Sequence, residues 1–188
     1  MDRRAASTAR TREAILDATA RLFWEEPARD LTLDRIAESA GVTVQTVIRH
    51  FGGRDGVFEA AVEQENARVR DERDPAAASN AAEAVRQLVA HYERLGDRAM
   101  RLLAEEHRSG AVARLVEHGR AWHRAWCEQT FATSLSTLDG PARRRRLAQL
   151  VAVCDVYTWK LLRRDAGLSR KATELAILEL LSPLLEVS

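Results

Sequence analysis

Cysteine is nearly absent from this chain, with Cys127 and Cys154 the only two in 188 residues. Two widely separated cysteines exclude a disulfide framework and a four-ligand zinc site. Both fall within apolar helical patterns, so buried, reduced thiols are expected. Proline (four) and glycine (nine) are also scarce, which leaves few places for the chain to turn. The long stretches rich in Ala, Leu, Glu and Arg between them therefore read as helices almost throughout. No apolar run reaches the roughly 18 residues that a bilayer span needs, and no secretory signal opens the chain. A cytoplasmic location with no membrane partner is the expectation. With 46% hydrophobic and 30% charged residues, the composition excludes a disordered chain.

A net charge of +1 carries no information about partners until its distribution is read. Residues 1–12 hold Arg3, Arg4, Arg10 and Arg12 against one acid, and residues 41–54 hold Arg49, His50 and Arg54 against none. Asp17, Glu25, Glu26, Asp34 and Glu38 cancel them in the sum. From charge alone these patches read as ordinary solvated surface.

The helical periodicity sharpens that reading. Ile15, Ala18, Thr19 and Leu22 mark a first helix that ends before Pro27. Leu33, Ile36, Ala37 and Ala40 mark a short second one, with Thr32 as N-cap, Leu31 and Ile36 as a hydrophobic staple and Gly41 as its stop. A third starts within three residues, capped by Thr43 and stapled by Val42 and Val47. Two short helices joined by so tight a glycine-containing turn form a helix-turn-helix. At 100° per residue, Val44, Val47, Ile48 and Phe51 share one side of the third helix. Gln45, Thr46, Arg49 and His50 share the other, an acid-free surface. Gln suits adenine, Arg suits guanine, and Thr suits a methyl or a phosphate. Thr43 and the amides at the helix start suit a phosphate. Arg54, at the start of the next helix, is expected on the flanking backbone, with Arg3 and Arg4 as further DNA contacts. The bland alternative is an exposed bundle helix, but such faces commonly mix acids with bases.

The run from Leu31 to Phe51, Leu-Thr-Leu-Asp-Arg-Ile-Ala-Glu-Ser-Ala-Gly-Val-Thr-Val-Gln-Thr-Val-Ile-Arg-His-Phe, followed by Arg54 and Val57-Phe58, resembles the tetracycline-repressor-like (TetR) family. The preceding helix, with Ile15 to Phe23, fits too, so the likeness covers about the first 60 residues. The resemblance implies a homodimeric DNA-binding regulator, usually a repressor. It also implies a helical ligand-binding region and a dimer interface built from the last two helices. Two positions depart from the pattern: Ile48 stands where the family usually has a phosphate-touching Tyr, and Arg54 where Lys is common.

The expected fold is all-α. Residues 1–55 form a three-helix DNA-binding domain, and residues 56–188 form a helical ligand-binding and dimerisation domain. In the second region the pattern predicts a helix from near Asp55 to about Arg73, where Asp74-Pro75 and Ser79-Asn80 mark a break. Further helices are expected over about 81–95, 97–106 and 110–132, with another break over 134–141. One long helix then carries Leu147, Leu150, Val151, Cys154, Tyr157, Thr158, Leu161 and Leu162 on one face. The last helix is capped by Ser169, with Pro183 near its end. Tyr92, Met100, Trp122, His123, Trp126 and Tyr157 are candidates for a pocket taking a small apolar or aromatic effector. Packed core is the competing reading for each. Val156, Trp159, Leu178 and Leu181, apolar beyond the needs of one core, are candidates for the dimer interface. Asp155 interrupts an apolar face and is expected to meet a ligand, a partner or water. His118 and His123 are five apart, off the i, i+4 spacing of a helical metal pair, so neither a metal site nor a cofactor is expected. An enzyme or a helical adaptor without a DNA role is the alternative. No nucleophile–base motif or carboxylate pair supports the enzyme.

Overall fold

The computed structural model describes residues 2–25, 31–72, 80–108 and 110–186, apart from the side chains of residues 2–4, 24, 25, 62, 65, 66, 68–72, 108 and 111. The described residues are helical with no strand. The elements are α1 (Asp2–Glu25), α2 (Leu33–Ala40), α3 (Val44–Phe51), α4 (Arg54–Glu72) and α5 (Ala81–Glu105), then a 3-10 turn (Glu106–Arg108) and α6 (Gly110–Thr130). There follow α7 (Ala132–Leu135), α8 (Gly140–Val153), α9 (Val156–Lys160), a π turn (Leu161–Asp165) and α10 (Arg170–Leu185). Among the described residues no helix is long and apolar enough to cross a membrane. The chain forms two compact units, Met1–Arg68 with Glu105–Leu115, and Val69–Ala104 with Val116–Ser188.

The first unit is organised by local signals. Thr32 caps α2 by accepting the Arg35 N–H at 3.3 Å. Gly41 ends α2 in the left-handed region, φ 66°, donating to Glu38 O at 3.1 Å while Val42 donates to Ala37 O at 2.9 Å. That pair of bonds is a Schellman stop, which needs a residue free of the Cβ penalty at positive φ. Thr43 then caps α3 by accepting the Thr46 N–H at 3.2 Å. Ile15, Leu16, Leu22, Leu31, Ile36, Val47, Val57 and Phe58 gather into one core beneath these helices. Val47 is wholly buried, which stabilises the docking of α3 by about 1.5–3 kcal/mol.

The second unit departs from the periodic pattern in three places. Gly96 does not divide two helices; α5 runs unbroken from Ala81 to Glu105. The glycine is there for packing, because a Cβ at that position would lie 2.4 Å from the Trp159 ring. The interval 134–141 is not one break either. Ser134 and Leu135 end the short α7, and Pro141 sits in the first turn of α8, where its missing N–H costs nothing.

The long helix expected through Leu147–Leu162 is in fact cut at Cys154 and Asp155. Neither residue is a helix breaker; side chains hold the cut open instead. Asp155 caps α9 by accepting the Tyr157 N–H at 2.9 Å. Burial raises the Asp155 pKa even as that amide pulls it down. Tyr92 donates to Cys154 O at 3.0 Å, and Thr158 donates to Ala152 O at 2.6 Å. The cut turns the face beyond it. Val156 and Trp159 swing inward to 7% and 0% exposure, while Tyr157 and Leu161 swing outward to 50% and 60%.

Candidate nucleic-acid interface

α3 presents two faces, as its periodicity requires. Val47 is buried and Val44 and Phe51 are half-buried against the first unit's core. Gln45 and Arg49 are exposed, and Thr46 and His50 are half-buried beside them. Thr43 is exposed at the helix start. No acid lies between Gly41 and Arg54. The exposed surface therefore offers one amide, one guanidinium, two hydroxyls and an imidazole on a helix short enough to enter a major groove. The hydroxyls of Thr43 and Thr46 lie 3.0 Å apart and bond to each other, so part of their capacity is already used at the cap.

Arg54 makes two contacts within its own unit. Its Nε donates to Leu31 O at 2.7 Å, and its guanidinium lies 4.8 Å from the Phe58 ring centroid. Those two contacts tie the head of α4 to the residue preceding the α2 cap. These contacts use Nε and one face of a half-buried guanidinium. Ile48, expected on the packing side with Val44, Val47 and Phe51, is instead 37% exposed and has no polar atom to offer a phosphate. The side chains of Arg3 and Arg4, expected on DNA, lie outside the described residues.

Two positioning residues escaped the sequence reading. Arg12 on α1 places its guanidinium 5.3 Å from the Phe51 ring centroid, tying α1 to the end of α3. Arg21 donates to Ser39 Oγ at 2.7 Å, tying α1 to α2. Both are exposed arginines, Arg12 read only as part of a basic patch and Arg21 not singled out. Nothing in the spacing marks them.

The candidates in the second unit separate into three groups. Tyr92, His123 and Trp126 are buried in or beside its core, and Met100 and Trp122 are half-buried against it. The Tyr92 hydroxyl donates to Cys154 O. Tyr157 does not line the interior, because the cut at Cys154–Asp155 turns it to the surface. The interface candidates differ in how much surface they keep. Trp159 and Leu181 are fully buried within their own unit, Val156 nearly so, and Leu178 is half-buried against the same core. A side chain with no exposed area has none left to bury against a second copy. The exposed large apolar side chains described in this unit are instead Tyr157, Leu161, Leu175 and Leu180.

Trp159 is also the centre of a polar clamp. Its Nε1 donates to Glu93 Oε1 at 3.1 Å, and Arg163 grips both oxygens of Glu93 at 2.9 and 3.3 Å. Arg164 pairs with both oxygens of Asp97 at 3.0 and 2.9 Å and lies 4.6 Å from the Trp159 ring centroid. Glu93, Gly96 and Asp97 fall on one face of α5 at i, i+3 and i+4, so the indole rests on bare backbone between two carboxylates. Burial pushes Glu93 up, but the bonds from Arg163 and Trp159 and the nearby guanidinium charges outweigh it and leave the carboxyl below its ordinary value.

Residues 15–61 match the family model described as bacterial regulatory proteins, tetR family. A segment of 58 residues is 41% identical to the HTH-type transcriptional regulator SrpR of Pseudomonas putida, covering 31% of this chain and 27% of that relative. The match thus spans about a quarter of that relative's length. Among solved structures, the fold is similar to FadR of Bacillus subtilis in complex with stearoyl-CoA, with a TM-score of 0.65 and 18% identity over 94% of this chain and 98% of that one. It is likewise similar to SmeT in its triclosan complex, with a TM-score of 0.66 and 19% identity over 92% and 90%. At such identities the structural likeness is one of fold.

Proposed function

We propose, from the match of residues 15–61 to the family model for bacterial regulatory proteins, tetR family, that this chain is a transcriptional regulator reading double-stranded DNA through α3. The observation that carries the reading is the acid-free face of Gln45 and Arg49, held outward by a buried Val47 and by a capped helix start at Thr43. Gln45 and Arg49 read base edges, and Thr43 with the first amides of α3 meets a phosphate. His50 and Thr46 flank them.

One such helix reads too few base pairs for a useful address, so the chain acts as a homodimer on a palindromic operator, with half-sites one helical turn or a multiple apart. The exposed Tyr157, Leu161, Leu175 and Leu180 supply apolar area for that association. Repression relieved by a small apolar effector is the mode of action. The solved complexes of similar fold with triclosan and with stearoyl-CoA support it. No cofactor enters this reading.

Selection of bound sequences from a random DNA pool tests it. Enrichment of a two-fold symmetric site is expected. Arg49→Ala and Gln45→Ala should each cost about 1–3 kcal/mol at one base position per half-site and relax specificity there. No enrichment, or unchanged affinity in both variants, would remove α3 as the reader.

A further inference from the structure

Ile48 does not fit a division of α3 into a buried apolar face and an exposed polar one. Among the described side chains of the first unit it is the large apolar one that stays exposed, at 37%. At 100° per residue it stands about 60° from Gln45 on one side and about 40° from Val44 on the other. It therefore marks the edge where the packing face passes into the reading face. The opposite edge is polar: His50 lies there, its ring centroid 6.1 Å from that of Phe51. Between the two edges stand Gln45 and Arg49, both exposed.

An exposed isoleucine can recognise little in a groove. Its side chain has no donor or acceptor, and its carbonyl already accepts the Gly52 N–H at 2.7 Å. A phosphate, or a base edge of donors and acceptors, would lose water to it and gain no bond. The major groove carries one apolar feature, the C5-methyl group of thymine. A β-branched side chain on a helix is nearly fixed at χ1, so its methyl groups are held at one place on the face. We propose that Ile48 determines specificity on the DNA face by packing against the methyl group of a thymine beside the base that Gln45 reads. The inference rests on α3 being the reading helix. Residues three apart on a helix have Cβ atoms about 5–6 Å apart, and successive base pairs rise by about 3.4 Å. The thymine therefore lies within about two base steps of the base read by Gln45. The face reads by two chemistries, hydrogen bonds from Gln45 and Arg49 and apolar shape from Ile48.

Deoxyuridine tests this, because it is thymidine without the methyl group and keeps every donor and acceptor. Operators enriched from a random pool are remade with each thymine of one half-site replaced in turn. Affinity of the full chain for each is then measured by fluorescence anisotropy at one salt concentration. Wild type should lose roughly fourfold at one position, the worth of one methyl-sized group in a dry contact. That position should fall within about two steps of the base at which Gln45→Ala relaxes specificity. Ile48→Ala should bind thymine and deoxyuridine equally there while keeping its preference at the base read by Arg49. Ile48→Val, which retains the β-branch, should keep part of the methyl preference.

An enriched half-site with no thymine in that range would overturn the proposal, as would a wild type indifferent to every methyl group. An unchanged methyl preference in Ile48→Ala would overturn it too. So would an equal loss by that variant on all sequences, which would set Ile48 against the sugar–phosphate backbone. Failure to enrich any sequence defeats the DNA reading itself. Binding that keeps the Gln45 and Arg49 preferences without a methyl effect defeats this proposal alone.

Discussion

The two units are held together by different kinds of instruction. In the first, geometry is written within a few residues of where it acts: Thr32 and Thr43 cap the helices they precede, and Gly41 stops the helix it follows. In the second, geometry is imposed from a distance. Gly96 on α5 admits Trp159 from α9, Tyr92 on α5 holds the carbonyl of Cys154, and Glu93 and Asp97 on α5 anchor the π turn through Arg163 and Arg164. Local caps fix a short helix such as α3 with few residues. A helical body with a cut in its penultimate long helix needs partners across the unit to keep the cut open.

The sharpest way to break this contrast is Gly96→Ala. In an ordinary helix interior the change stabilises by roughly 0.5–1 kcal/mol. Here the new Cβ would sit 2.4 to 2.8 Å from three ring atoms of Trp159. The indole cannot yield cheaply, being fully buried, bonded to Glu93 and covered by Arg164. Overpacking should outweigh propensity and leave a net loss of about 1–3 kcal/mol, read from chemical denaturation. Gly119 on α6, where nothing lies within 4 Å of a built Cβ, is the control, and Gly119→Ala should be stabilising. Equal effects at both sites would mean that Gly96 is not a packing glycine.

The same contrast explains what was legible in the sequence. The helix-turn-helix could be read nearly residue by residue because caps, staples and a stop glycine are short-range signals. The pair Gln45 and Arg49 followed from helical angle alone. The internal bond of Arg54 was not legible, because the position of Leu31 O, across the unit, is set only by the fold. Beyond α4, Asp155 reads in sequence as an interruption, and its role as a cap appears only when Tyr157 N–H is placed beside it. One unrecognised cut then exchanged the inner and outer faces, which buries Trp159 within its own unit and turns Tyr157 to the surface.

A smaller effect sharpens the local half of the comparison. Thr32 lies outside the reading face, so Thr32→Ala should remove the cap of α2 without removing a DNA contact. The expected cost is about 1 kcal/mol, confined to the first unit. Hydrogen exchange should show faster opening of the α2 amides and unchanged protection in α5. Slowing or speeding of exchange in both units alike would show that the local cap does not act locally.

The smallest expected effect concerns the outer pair of the clamp. The hydrogen bond from Arg164, against a lesser cost of burial, leaves the Asp97 carboxyl below its ordinary value. A carboxyl whose folded pKa is depressed adds stability that is present above its unfolded pKa, about 3.9, and lost as pH falls through the folded value. The pair is bidentate, yet Asp97 keeps 63% of its side chain exposed, so solvent screening cuts what the shift alone implies. Asp97→Asn should therefore cost no more than about 0.5 kcal/mol at neutral pH and low salt. Raised ionic strength should shrink the difference further, and wild type and variant should converge as the pH falls through the lowered folded pKa of Asp97. Glu93 gives the comparison its scale, because its partner Arg163 is only 27% exposed and its own side chain 23%. Glu93→Gln should cost more and resist salt better. If Asp97→Asn proved as damaging as Glu93→Gln in denaturation at neutral pH, the outer pair would be holding the π turn itself, and the division of labour around Trp159 would have to be redrawn.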